Sequence, residues 1–237
     1  ENGPVHRGLL EAREGVTVHR EVRAFLESEL SPDAYYEQAV RQKKRKEIRR
    51  LQNRLAELGP VETEILDDPA DLPAWCDTYL AFEKAGWKGE EGTALACAPD
   101  TAAFFHAALA GAWAAGRLQF LRLTVGDRTI AMLVNFLTPP GSFSFKTVFD
   151  EDYARFSPGV LIQLENLRNV LTSDEIAWMD SCASEDHPMI DGLWTERRSI
   201  VRVSVRLKGF RRGLIFRLCR ALERGAGALR RLTGRRR

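Results

Sequence analysis

The stretch FSFKTVFDEDYARFSPGVLIQLENLRNVL, residues 143–171, decides the fold that the sequence predicts. Over residues 143–150, mostly aromatic residues alternate with mostly polar residues, which is the two-residue period of a β-strand. The residues expected on one face are Phe143, Phe145, Thr147 and Phe149. Farther along, Pro158 suits the first turn of a helix, and Ser157 before it suits an N-cap. Free N–H groups at a helix start, together with the helix dipole, favour an anionic group such as a diphosphate.

The segments around this stretch complete an α/β arrangement. A helix is predicted over residues 102–116, and a hairpin over residues 118–125 and 129–137 turns at Gly126. After the helix that begins at Pro158, two strands are predicted, over residues 176–180 and 199–205. This order of elements is similar to that of the acetyltransferase (GNAT) fold. We therefore predict an α/β (α+β) fold in which helices flank a mixed central sheet.

Several blocks of sequence carry a more specific resemblance. They are residues 43–47, 54–55, 59, 83, 86–89, 92–95, 116–118, 130–131 and 153–159. Through these blocks the chain resembles the CelD-type acyltransferases, relatives of the FemAB peptidyltransferases within the GNAT superfamily. Members of that family usually carry a further GNAT-like half, so the resemblance implies that this chain corresponds to a C-terminal portion.

The resemblance also implies a donor substrate, acyl-CoA, and a place for it. The donor's diphosphate would lie on the loop that contains Arg155, Phe156, Ser157 and Gly159. Its pantetheine arm would run between the strands predicted at residues 143–149 and 176–180. The resemblance implies no metal, and the sequence contains no cluster of residues with metal-ligand spacing.

The acceptor is expected near a glycine-rich segment that follows a predicted helix over residues 72–85. Trp87, Lys88 and Thr93 lie in this segment, and we predict that they line the acceptor pocket together with Tyr153. The alternative is a tight turn in which Trp87 covers an edge of the core.

Transfer from a thioester to an amine requires little chemistry, because the thioester is already activated. One general base and donors for the oxyanion are sufficient. The candidate catalytic residues are Asp180 at the end of a strand, His187 in an acidic loop and Lys146 in an apolar strand. For Asp180 the alternative is a carboxylate that caps a turn, and for Lys146 it is a side chain directed to solvent.

The net charge of +2 conceals strong segregation. Residues 41–54 carry a net charge of +7 and residues 206–237 a net charge of +11, which leaves about −16 for the rest. We predict three segments: residues 1–32 as the remainder of a preceding half, residues 33–205 as the GNAT-like domain, and residues 206–237 as a basic amphipathic helix and tail. A single helix is predicted over residues 33–58. Its basic face is a solvated surface or a contact for acidic lipid, for the 3′-phosphate of CoA or for tRNA.

The C-terminal helix combines an apolar face with arginines opposite. Its apolar residues are Leu214, Ile215, Leu218, Cys219 and Leu222. This pattern is typical of a helix that lies in a membrane surface, and we predict that residues 209–237 bind an anionic membrane. A nucleic-acid tail and a helix that packs on another half remain as alternatives. The four cysteines lack metal or redox spacing, which favours reduced thiols and a cytoplasmic protein peripheral to the inner face of the membrane.

The predicted function is acyl-CoA-dependent N-acylation of an amine. A lipid amine such as a sphingoid base, which would yield a ceramide, fits the surface-seeking helix, and acylation in exopolysaccharide biosynthesis is the related alternative. A FemAB-like transfer from aminoacyl-tRNA is the second alternative, with the basic face at residues 41–54 as the tRNA contact. A GNAT scaffold without activity is the third.

Overall fold

We describe the chain from a computed structural model, which covers residue 1 and residues 3–232, with side chains through residue 225. The helices are α1 (Pro4–Ala12), α2 (Pro32–Ala39), α3 (Gln42–Ala56), α4 (Leu72–Ala85), α5 (Trp87–Glu90), α6 (Pro99–Ala114), α7 (Pro158–Leu171) and α8 (Phe210–Leu232). The strands are β1 (Gly15–Leu26), β2 (Val61–Ile65), β3 (Leu118–Val125), β4 (Arg128–Thr138), β5 (Gly141–Phe149), β6 (Trp178–Asp180) and β7 (Glu196–Val205).

The strands form one mixed sheet in the order β2-β3-β4-β5-β6-β1-β7. Strands β2 to β5 pair antiparallel, whereas β5 and β6 pair parallel. The predicted mixed sheet with flanking helices is therefore confirmed. The hairpin of β3 and β4 also lies where the sequence predicts it, and its turn uses Gly126 at φ +54°, a backbone conformation that favours glycine.

The chain divides into two compact units, Arg23–Arg198 and Glu1–Val22 with Ser199–Arg237. In the larger unit, hydrophobic clusters cover both faces of the sheet. One cluster joins α2, α3 and α7 to the sheet through residues such as Leu55, Leu123 and Leu164. The other joins α4 and α6 to the opposite face through residues such as Tyr79, Leu109 and Phe120. Two apolar faces buried in this way are what a sheet flanked by helices requires.

The helix predicted over residues 33–58 is interrupted. At Val40 the backbone is extended, with φ −100° and ψ 121°, so α2 ends before it and α3 starts at Gln42. Val40 is 1% exposed. Its β-branched side chain fits the extended backbone better than a helix. The interruption separates Tyr36 on α2 from the basic residues of α3, and it allows a cavity between these helices.

The smaller unit contains α1, most of β1 and β7, and α8. The apolar face predicted for the C-terminal helix is exposed on α8: Leu214, Ile215, Leu218 and Leu222 are each 59–65% exposed. No helix within the described residues combines the length and apolar character that a membrane span needs. The arginines predicted to follow at residues 235–237 lie outside the described residues.

Candidate active site

Strands β5 and β6 run side by side for a short distance and then separate. Their register pairs Gly141 with Trp178 and Phe143 with Asp180, at the start of β5. Residues 144–149 of β5 continue beyond the end of β6. Among the described residues, no strand pairs with this part of β5 on the side facing away from β4. A strand edge of this kind presents free N–H and C=O groups to a ligand.

Helix α7 begins shortly after β5 ends, as predicted, with Pro158 in its first turn. The predicted role of Ser157 as a side-chain cap is wrong. Ser157 adopts a left-handed conformation, with φ 53° and ψ 52°, and its hydroxyl makes no capping hydrogen bond. The backbone carbonyl of Ser157 accepts instead from the N–H groups of Val160 and Leu161, at 2.9 and 3.2 Å. The serine hydroxyl is therefore available to a ligand.

The other predicted donor-binding residues lie in the same loop, a short 3₁₀ segment over Glu151–Phe156. The guanidinium of Arg155 is exposed and lies 4.8 Å from the ring centre of Phe156. Phe156 itself is 6% exposed and belongs to the core, which leaves its main chain as the group that a ligand could reach. Gly159 is buried, and a Cβ there would lie 3.4 Å from the sulfur of Met189 and 3.6 Å from Phe149. A larger side chain at Gly159 would therefore displace its neighbours.

A buried carboxylate joins two of the predicted residues on the other side of β5. Glu83 is on α4 and its side chain is 1% exposed. Its Oε1 accepts hydrogen bonds from the ammonium groups of Lys146, at 2.9 Å, and Lys88, at 3.3 Å. Its Oε2 accepts from the N–H of Leu95 at 2.8 Å. We call Glu83, Lys88 and Lys146 the Glu83 cluster. Lys146 thus points neither freely to solvent nor into an empty cleft.

Burial alone would raise the pKa of Glu83. The hydrogen bond from Leu95 and the charges of Lys146 and Lys88 outweigh that effect, so the pKa of Glu83 is lowered. The carboxylate therefore stays ionised and holds both lysines in place.

Trp87, Lys88 and Thr93 lie beside the Glu83 cluster, but the glycine-rich segment is not an open loop. It begins with the short helix α5, and a Cβ at Gly89 would lie 1.7 Å from the carbonyl oxygen of Lys84. The density of glycines therefore reflects close packing against the end of α4. Trp87 is 60% exposed, which excludes the alternative that it covers the core, and Thr93 donates its N–H to the carbonyl of Lys88 at 2.7 Å.

A pocket of about 50 Å³ lies between β5 and the segment that joins α4 to α5, beside the Glu83 cluster. Its lining includes Trp87 and Lys88 on one side and Thr147 and Phe149 on the other. Thr147 is also 3.8 Å from the position of a Cβ at Gly159, so the pocket borders the start of α7. Tyr153 lies apart from this lining, half-buried against the core, with the guanidinium of Arg128 5.1 Å from its ring. The structure thus brings Trp87, Lys88 and Lys146 together and leaves Tyr153 elsewhere.

Asp180 ends β6, where the two strands separate, and His187 lies in the loop that follows. Asp180 is 1% exposed, and its Oδ1 accepts from the N–H of Cys182 at 2.9 Å. Its Oδ2 lies 3.5 Å from Arg198. The turn-capping alternative therefore describes what Asp180 does here. His187 has a buried Nδ1 without a hydrogen-bond partner among the described residues. A buried ring nitrogen without a hydrogen-bond partner is costly, which makes His187 a candidate functional residue.

Sequence reasoning did not assign a role to Glu83, although a signal was present. The buried residues Cys76, Tyr79 and Leu80 place Glu83 on the apolar stripe of α4, where a carboxylate is out of pattern. It also missed a chain of buried amides that fastens α7 to the sheet. Asn166 Oδ1 accepts from Asn135 at 2.7 Å, and Gln163 donates to the hydroxyl of Thr147 at 2.9 Å. This chain fixes the start of α7 relative to β5.

The sequence of residues 42–187, more than half of the chain, matches the family described as acetyltransferase (GNAT) domain. The chain belongs to this family. It is therefore an acyltransferase of the GNAT type. No curated protein matches the sequence.

Several solved structures are similar to this chain in fold, at low sequence identity. One is a conserved protein of unknown function from Bacteroides thetaiotaomicron, with 13% identity and a TM-score of 0.54 over 84% of this chain and 67% of that one. Another is the C-terminal domain of a protein named as a lysylphosphatidylglycerol synthetase from Agrobacterium fabrum, with 13% identity and a TM-score of 0.50 over 90% and 68%. FemX is 8% identical, with a TM-score of 0.52 over 84% and 66%. At such identities the likeness concerns the fold.

Proposed function

We propose that the protein transfers an acyl group from acyl-CoA to an amine. The observation that carries this proposal is the separation of the parallel strands β5 and β6 beyond Phe143. Residues 144–149 offer main-chain groups that can pair with the two amides of a pantetheine arm, as an added strand would. The start of α7 follows at the end of this edge, where the free hydroxyl of Ser157 and exposed Arg155 can receive a diphosphate.

The reaction is a direct displacement. The amine nitrogen attacks the thioester carbonyl, a C–N bond forms, and the C–S bond of the tetrahedral intermediate breaks. The proton lost from the amine passes to a base, and the departing thiolate takes up a proton. Holding the amine in line with the carbonyl supplies much of the acceleration.

Among the candidate catalytic residues, His187 suits the role of base best, because its buried Nδ1 is without a partner among the described residues. Asp180 already accepts an N–H and faces Arg198, which suits the positioning of the loop that leads to His187. Lys146 and Lys88 are both ion-paired with Glu83, which suits a positioning role in which they hold the segment around Trp87 beside the pocket. Trp87 and Thr93 would contact the acceptor.

The acceptor that we favour is a lipid amine, for which a sphingoid base is the first candidate. The exposed apolar face of α8, flanked by arginines, would bring the protein to an anionic membrane surface on the cytoplasmic side. Sedimentation with phosphatidylglycerol vesicles tests this part. Leu214→Ser together with Leu218→Ser should abolish cosedimentation, whereas Ser184→Ala, an exposed change elsewhere, should not. Equal binding by wild type, the double variant and Ser184→Ala would contradict the proposed membrane binding.

The direct test of function is mass-spectrometric detection of product. Short-chain and long-chain acyl-CoAs are offered together with sphingoid bases, amino sugars and amino acids in detergent micelles. An N-acylated lipid amine formed from long-chain acyl-CoA supports the proposal as stated. An acylated amino sugar moves the function to exopolysaccharide modification. No product and no binding of CoA refutes the acyl-CoA proposal.

A pair of glycine variants tests the donor site. Gly159→Leu should abolish turnover, because a side chain there collides with Met189, Phe149 and Thr147. Gly111→Leu on α6 meets open space and should retain full turnover. If Gly159→Leu does not fold, Arg155→Gln provides the test. Exposed Arg155 is expected to affect the KM for acyl-CoA by about tenfold with little change in kcat, and an unchanged KM would remove this loop from the donor site.

Transfer from aminoacyl-tRNA is the second candidate, and the net charge of +7 over residues 41–54 favours it. FemX and the domain from the lysylphosphatidylglycerol synthetase share the fold. Binding of tRNA that weakens steeply with salt, together with turnover that needs no CoA, would establish this candidate in place of the first.

A further inference from the structure

A cavity of about 550 Å³ lies between α2, α3 and the second half of α7, and we call it the α3 cavity. Four cationic side chains from two separate segments converge on it: Arg45, Lys46 and Arg49 of α3, and Arg168 of α7. Its volume lies within the range of small-molecule sites, about 300–1,000 Å³. Nothing in the acyl-transfer proposal uses it.

The cations of the α3 cavity are poorly neutralised. Arg45 and Arg168 lie 3.9 Å from Glu37 and Asp33, at the limit of an ion pair, and those two carboxylates are 75% and 92% exposed. Arg168 also lies 3.7 Å from Glu165 on its own helix, which is likewise a long ion pair. Among the described residues, no carboxylate pairs with Lys46 or Arg49. With four cations against two carboxylates, the lining has a surplus of positive charge. Converging guanidinium groups that are at most loosely paired are an arrangement that recognises phosphate.

The cavity also offers an uncharged surface. Tyr36 lines this cavity and also lines an adjoining recess of about 50 Å³. Leu164 and Leu167 form part of the wall of that recess. Burial raises the pKa of Tyr36, and the charges of Arg45, Arg49 and Arg168 oppose that rise, so all three guanidinium groups act on the tyrosine. A ligand with a phosphate and an aromatic or apolar part matches both surfaces.

We propose that the α3 cavity binds a small phosphorylated molecule of about nucleotide size. The shape of the cavity favours a small molecule over a nucleic acid. Lys43, Arg50 and Arg54 follow a different face of α3, spaced seven and four residues apart, and are absent from the lining. A nucleic-acid backbone would use a row of exposed cations along its path, whereas the lining cations face one concave space.

The α3 cavity is separate from the proposed donor loop. Arg168 follows Gly159 by nine residues on α7, which places it about 14 Å farther along the helix axis. The cavity therefore represents a second binding site, which could be occupied while the acyl donor is bound.

Calorimetric titration of the whole chain tests the proposal without any turnover. The probes are inorganic pyrophosphate and AMP, at about 0.1 M salt so that long-range attraction is screened. Saturable binding is expected for wild type. Arg49→Gln and Arg168→Gln should each weaken it by at least about tenfold, the effect of removing one charged hydrogen-bond partner. Arg54→Gln, the matched change on the other face of α3, should leave the affinity within about twofold.

Three outcomes would overturn the proposal. The first is no binding of either probe. The second is an equal loss in Arg49→Gln and Arg54→Gln, particularly if a short RNA binds more tightly than the probes, because this would indicate a diffuse basic surface. The third is displacement of pyrophosphate by CoA but not by dephospho-CoA, which would assign the cavity to the 3′-phosphate of the donor. Melting curves of all variants confirm that they are folded.

Discussion

The Glu83 cluster and the α3 cavity are both rich in charge, but they use their charges in opposite ways. In the Glu83 cluster, a carboxylate with a 1% exposed side chain holds two ammonium groups at 2.9 and 3.3 Å. In the α3 cavity, the ion pairs are 3.7–3.9 Å long and their carboxylates are 32–92% exposed. The comparison teaches that burial and pairing commit a charge to the architecture, whereas loose pairing leaves it available to a ligand.

The largest effect on stability is expected from removal of the buried carboxylate of Glu83. Glu83→Ala would leave Lys88 and Lys146 without their shared carboxylate and the N–H of Leu95 without an acceptor. We expect a loss of about 3 kcal/mol in the free energy of unfolding, measured by urea denaturation. Glu91→Ala, an exposed change nearby, should cost less than about 0.5 kcal/mol. Similar values for the two variants would contradict the role of Glu83 as the fixed point.

A smaller effect is expected from the packing that delivers Lys88 to Glu83. In Gly89→Ala the added methyl would lie 1.7 Å from the carbonyl oxygen of Lys84, so α5 must move, at a cost of about 1–3 kcal/mol. Gly111→Ala, in the interior of α6 with open space around it, should stabilise by about 0.5–1 kcal/mol. Thermal unfolding should therefore shift in opposite directions. An unchanged or raised unfolding temperature for Gly89→Ala would show that Gly89 is not held against α4.

The pH dependence sharpens the comparison further. The pKa of Glu83 is lowered from its usual 4.5, so its ionised form favours the folded state. This contribution is fully present above about pH 4.5 and is lost as the pH falls through the lowered value. The stability difference between wild type and Glu83→Gln should therefore be greatest at neutral pH and shrink on acidification. A difference that stays constant with pH would show that the charge of Glu83 is not what stabilises the cluster.

The smallest effect belongs to the α3 cavity. Arg49→Gln and Arg168→Gln should each change the free energy of unfolding by less than about 0.5 kcal/mol, because exposed charges in loose pairs contribute little. Differential scanning calorimetry measures this. A loss of more than about 2 kcal/mol would make these arginines structural and would remove the contrast with the Glu83 cluster.

The sequence predicts the elements of this fold where local patterns are strong. The limits of α4, the hairpin at Gly126 and the start of α7 at Pro158 follow from apolar spacing, turn residues and proline, which act locally. The interruption at Val40 was not predicted, because the apolar spacing of residues 36–58 continues through Val40 as in a single helix, and the extended backbone there is not visible in that spacing.

The candidate site was predictable in part for a related reason. Trp87, Lys88 and Lys146 were selected as unusual residues in their own segments, and the structure brings them together. Glu83, the common partner of Lys88 and Lys146, lies 63 residues before Lys146, so no local pattern connects these two residues. The α3 cavity shows the same limit, since Arg168 is far in sequence from α3. Charged residues so far apart in sequence can be recognised as neighbours only from the folded structure.

Strand β5 contains a β-bulge, and the bulge determines how the strand can be shortened. Val134 pairs with Lys146 and Asn135 with Ser144, so Phe145 is an extra residue without a partner of its own on β4. For this reason Ser144 and Thr147, which the alternation assigned to opposite faces, both contact Gln163. Removing Phe145 would leave every remaining side chain of β5 on its present face. A bulge at this position therefore allows the strand to lose one residue without reversing its faces.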